Sequence, residues 1–79
     1  MKEYKKPFSY TLKVKEPDGK EFRINETHTG CGYRKSCFST EKAARKSLTE
    51  TINLNERFGR TVIDWTVTEC AKIIDRMEH

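Results

Sequence analysis

The longest helical period in this chain runs from Ser39 to about Arg57, and most of the apolar residues around it recur at every second position instead. Ser39 or Thr40 is a natural N-cap, Glu41 in the first turn suits the helix dipole, and the run towards Arg57 is expected to stop at Gly59. Projected at roughly 100° per residue, Ala43, Ala44, Leu48, Ile52, Leu54 and Phe58 fall on one half of the helix. Lys42, Arg45, Lys46, Asn53 and Glu56 fall on the other. One side is expected to pack on a sheet, and the other to meet solvent or a partner.

The sheet is written around it. Phe8, Tyr10, Leu12 and Val14 alternate with Ser9, Thr11, Lys13 and Lys15, the pattern of a strand with one buried face. Glu16-Pro17-Asp18-Gly19 places Pro at the second turn position, Asp at the third and Gly where positive φ is easy, so the chain should reverse into a hairpin. Lys20 to Glu26 is the return strand, with Phe22 and Ile24 inward and Glu21, Arg23 and Asn25 towards solvent. Thr27 to Lys35 dissolves into small and polar residues with two glycines, a long loop for a small domain, and Ser36 to Phe38 reads as a short third strand.

After Arg60, Ile63, Trp65 and Val67 alternate with Val62, Asp64 and Thr66, so Trp65 is expected in the core. Two readings fit the last stretch. Cys70, Ile73, Ile74 and Met77 make one face of a short helix capped by Thr68, and a continued or folded-back strand would put Ala71 and Ile73 inward. The strand is preferred because no turn signal separates it from Val67. The expectation is therefore one α+β domain over residues 1–79, an antiparallel three- to four-stranded sheet packed on one central helix in the order β-β-(β)-α-β.

At 79 residues the chain has room for one domain, and a chain of that size buries only about 60% of its unfolded surface, which disfavours a deep catalytic cleft. The net charge of +4 is uneven, because most of the lysines and arginines precede Ser47. Such a basic half suits a phosphate backbone or an acidic protein surface. No apolar run approaches the roughly 20 residues needed to span a bilayer, and the first residues carry no apolar signal segment. Three cysteines argue against a paired secreted framework. Reduced thiols and a cytoplasmic location, without membrane attachment, are the expectation.

Few side chains are arranged for catalysis. His28, Cys31 and Cys37, with Cys70 or His79, are the only metal-ligand candidates, but their spacing is irregular and contains no Cys-x-x-Cys, so loop residues and one buried thiol are expected. A Cys31–Cys37 disulfide could form under oxidising conditions. Cys31 or Cys37 with His28 supplies a nucleophile and a base but no oxyanion site. Gly30-x-Gly32 precedes no helix, so it is no phosphate loop. The chain is therefore read as non-enzymatic, with no cofactor. The most concentrated basic and aromatic group is Tyr33, Arg34 and Lys35 with Lys42, Arg45 and Lys46, the candidate partner-binding set.

Two local likenesses point the same way. Tyr10 to Val14, Asp18-Gly19, Lys20-Glu21-Phe22 and the helix opening Ser39-Thr40-Glu41-Lys42-Ala43 resemble the C-terminal half of a double-stranded-RNA-binding domain, which implies phosphate contacts for Lys42 and Lys46. This chain lacks that family's first helix and adds a strand after the second. Phe38 to Ala44 resembles the strand-to-helix junction of AP2-type DNA-binding domains. In size and plan the chain resembles small phage-encoded inhibitors of host defence of the anti-CRISPR type, which implies an accessory or inhibitory protein occupying a nucleic-acid-handling complex in the host cytosol. The expected partner is a protein complex, and the alternative is direct binding of DNA or RNA by the same basic loop and helix face.

Overall fold

The hydrophobic stripe of the first strand decides where everything else sits. In the computed structural model, which describes residues 6–25, 37–70 and 72–78, Tyr10, Leu12 and Val14 of strand β1 (Phe8–Lys15) are buried at 6%, 1% and 0% exposure. The turn expected after it forms: Gly19 N–H donates to the Glu16 carbonyl at 2.8 Å, Asp18 Oδ1 accepts from Lys20 N–H at 2.9 Å, and Gly19 sits at φ +94°. Strand β2 (Glu21–Ile24) then pairs antiparallel to β1 with Val14 opposite Phe22 and Leu12 opposite Ile24. It is shorter than the sequence suggests. Asn25 turns out of it at φ +57°, and its side-chain amide, expected in solvent, donates to the Tyr10 carbonyl at 2.8 Å, standing in for the next ladder bond.

Helix α1 (Glu41–Arg57) begins where the cap residues placed it, with Thr40 Oγ1 accepting from Ala43 N–H at 3.1 Å. It ends at Gly59, whose φ of +80° lets Gly59 N–H reach the Glu56 carbonyl at 3.0 Å while Arg60 N–H reaches that of Asn55 at 3.1 Å. Strands β3 (Thr61–Glu69) and β4 (Lys72–Arg76) complete a four-stranded antiparallel sheet of order β2-β1-β3-β4. The α+β architecture read from the sequence is therefore the one observed. Phe38, the end of the expected short strand, makes an isolated bridge with Phe8, each donating its N–H to the other's carbonyl. Ser36 lies outside the described residues.

The core is Tyr10, Leu12, Val14, Leu48 and Val67, with Phe22, Ile24, Phe38, Ile52, Val62 and Trp65 packed around it. Burying each of the large side chains contributes about 1.5–3 kcal/mol. Trp65 thus takes the structural place expected of it. The Tyr10 hydroxyl lies under the helix, 3.0 Å from Ser47 Oγ and 2.9 Å from Thr51 Oγ1, so its polar tip is satisfied within the contact layer.

Three expectations need correcting. The first concerns β3, where a bulge opposite Lys13 and Val14 inserts one residue: Lys13 faces Asp64 but Val14 faces Val62, so Val62 joins the core in place of Ile63. The second concerns Leu54 and Phe58, which are 50% and 64% exposed, while the polar Asn55 is buried beside Leu48 and Ala44 in the sheet-facing row. The third concerns the tail, which folds back as a strand but leaves Ile73 56% exposed. Glu69 pairs with Lys72 across a connection in which Cys70 adopts φ +49°, a left-handed residue that no Gly, Asn or Asp announces. Ala71, the other residue expected inward, lies outside the described residues.

Candidate interaction surface

The outer side of the helix collects the exposed cations of the candidate set. Lys42 and Lys46, one turn apart, are both exposed. Glu50, Asn53, Leu54 and Arg57 continue from Lys46 at the i+4, i+7, i+8 and i+11 positions and line a shallow depression of about 360 Å³. At its far end Phe58 stands 64% exposed. The surface is thus a basic strip running into an apolar end.

Arg45 is not part of that strip. Its Nε donates to Glu41 Oε2 at 2.7 Å and its Nη1 to Asp75 Oδ2 at 2.8 Å, so its guanidinium ties the first helical turn to β4. Its charge is matched within the fold. Tyr33, Arg34 and Lys35 lie outside the described residues, as do His28, Cys31 and His79. Cys37 is a free buried thiol and Cys70 a free exposed one. Among the described residues no three His, Cys, Asp or Glu side chains group as metal ligands, and no helix is long and apolar enough to cross a membrane.

The Arg45 bridge has a pH consequence. Asp75 is held below its ordinary carboxyl value, first by the Arg45 hydrogen bond and then by the N–H of Arg76, and Arg45 is correspondingly raised. A depressed carboxyl contributes its stability in full above the ordinary value of about 3.9, and loses it as pH falls from there through the lower folded value. Asp75→Asn should therefore lower the melting temperature at pH 7, with a gap to the wild type that narrows as pH falls below the ordinary carboxyl value. Thermal melts across pH 2–7 check this. Both partners are about two-fifths exposed, so the gap should also shrink in high salt.

Arg60 was not singled out by sequence reasoning, yet it closes the helix end of the surface. Its guanidinium lies 5.1 Å from the Phe22 ring centroid and 5.5 Å from that of Phe58. Nη1 donates to Asn55 Oδ1 at 3.0 Å and Nη2 reaches Glu16 Oε1 at 3.5 Å. The same contact presents Phe58, since the side of its ring against Arg60 is fixed and the remainder is open.

No known protein family, curated protein or solved structure matches the chain.

Proposed function

We propose that this protein is a non-catalytic binding factor that docks on a protein complex through the outward side of α1, with Tyr33, Arg34 and Lys35 extending the contact. The observation that carries this reading is the joining of exposed apolar residues, Leu54 and Phe58, to exposed cations, Lys42, Lys46 and Arg57. A phosphate backbone would use the cations and leave Phe58 in water. A protein groove with an acidic rim would use both, burying the apolar end and pairing the cations along the strip. The small size and the anti-CRISPR-like plan favour an accessory or inhibitory role on a nucleic-acid-handling complex.

Phe58→Ser should lower the affinity for the partner at least about tenfold, the effect of an interface anchor worth more than about 1.4 kcal/mol, while stability falls only by the lost cation–π contact with Arg60, about 0.5–1 kcal/mol. Lys42→Ala/Lys46→Ala should slow association and weaken its salt dependence. Both are read by quantitative pull-down against the purified partner identified by mass spectrometry. Unchanged capture by both variants would overturn the assignment of this surface.

A further inference from the structure

We propose that the outer face of α1 pairs with the same face of a second copy of this chain, in a weak symmetric dimer whose two helices run antiparallel. The depression on that face has opposite charges at its two ends. Glu50 and Arg57 line it, with Asn53 and Leu54 between them. At seven residues, about 10 Å along a helix, the two charges are too far apart to pair with each other. Both are exposed, and among the described residues neither has an ion-pair partner. Leu54, half-exposed, stands midway.

A two-fold axis through the point between Asn53 and Leu54 makes this face complementary to itself. Antiparallel helices related by that axis bring Glu50 level with Arg57 of the second copy and Arg57 level with its Glu50, so one operation forms two ion pairs. At roughly 100° per residue, Glu50 and Arg57 lie within about 20° of one line down the helix, so both point at the second helix. Leu54 lies to one side of that line and Asn53 to the other. Across the axis Leu54 therefore meets its own copy, and Asn53 meets an amide that both donates and accepts. Lys46, exposed one turn before Glu50, stands just past the C-terminus of the second helix, where a cation suits the dipole.

The rest of the fold leaves room for the second copy. Ala44, Leu48 and Asn55, the helix residues buried against the sheet, lie on the opposite side of α1 from Glu50 and Arg57. The two sheets therefore end on the outside, in the order sheet, helix, helix, sheet. A single helix-on-helix contact falls short of the roughly 1,200 Å² of a stable interface, which sets the dissociation constant at roughly 10–100 µM. Phe58 lies about a quarter-turn round the helix from the seam and stays outside it. Dimerisation does not rest on docking to a protein complex. The two share Leu54 and Arg57, so a docked partner and a second copy exclude each other.

Sedimentation equilibrium of the full chain, from about 10 µM to about 1 mM at low salt, tests this. The wild type should pass from monomer to dimer across that range. Glu50→Arg and Arg57→Glu each turn both ion pairs into like-charge contacts, so each should weaken the dimer at least about tenfold. An equimolar mixture of the two variants restores both pairs with one of them reversed in sign, and should dimerise within about threefold of the wild type. Glu50→Arg/Arg57→Glu on one chain should do the same, which separates lost pairing from lost fold. Phe58→Ser should leave the dimer intact while it lowers partner capture, so the two readings can fail separately. A wild type that stays monomeric at about 1 mM would overturn the proposal. So would a dimer that survives both single reversals, a mixture that stays monomeric, or a dimer lost in Phe58→Ser.

Discussion

Leu12→Ala is expected to remove about 2–5 kcal/mol of stability, the cost of deleting a buried isobutyl group and leaving a cavity that the sheet cannot close. Leu12 is 1% exposed, sits on the central strand β1, and has Ile24 opposite it on one side and Trp65 on the other. A strand held on both edges cannot shift to fill the space, which favours the upper part of that range. A chain of this size has a total stability of only roughly 4–12 kcal/mol. The variant should therefore melt well below the wild type, followed by the near-ultraviolet circular dichroism of Trp65. Leu12→Met, which conserves volume, should cost less than about 1.5 kcal/mol. If alanine and methionine behaved alike, Leu12 would not be packed as described.

Arg60→Ala should cost about 2–5 kcal/mol, the largest single part of it from Asn55. That side chain is 3% exposed, and its Oδ1 accepts from Arg60. Without the guanidinium, a buried acceptor is left unpaired, a loss of about 1–3 kcal/mol, and two cation–π contacts of about 0.5–1 kcal/mol each go with it. The 3.5 Å contact with Glu16 adds little, because both side chains are about one-third exposed. Lysine supplies a charge but no planar fork, so Arg60→Lys should recover only part of the stability. Denaturant titration of the three proteins reads the order directly. The alanine variant should also weaken partner capture, because Phe58 loses the cation that fixes one side of its ring.

Local chemistry made the hairpin and the helix legible. Pro17, Asp18 and Gly19 each supply a backbone constraint at the position the turn requires, and Thr40 and Gly59 stop the helix through hydrogen bonds made within a few residues. What was not legible depends on partners far away in sequence. Val62 and Ile63 are interchangeable by hydrophobicity, and only the register against Lys13 and Val14 decides which one enters the core. The helix misled in a related way. Leu54 and Phe58 look inward by composition, but the row through Ala44, Leu48 and Asn55 lies over the sheet, and Asn55 can be there only because Arg60 and the Thr51 carbonyl satisfy its amide.

The candidate site was partly legible for the same reason. Lys42, Arg45 and Lys46 form one sequence cluster, but Asp75, which pairs with Arg45 within the fold, stands thirty residues away on a strand whose existence the sequence left open.

The position of β1 between β2 and β3 has a consequence for how the chain is made. Its first neighbour follows within a tight turn, whereas the hydroxyls that meet across its other edge, Thr11 and Thr66, are 55 residues apart in sequence. On the ribosome, the hairpin and helix will have emerged while that second edge is still bare, and a bare edge flanked by Tyr10, Leu12 and Val14 invites pairing with another nascent chain. The cations beside it, Lys13 and Lys15, would keep two such edges apart during that interval.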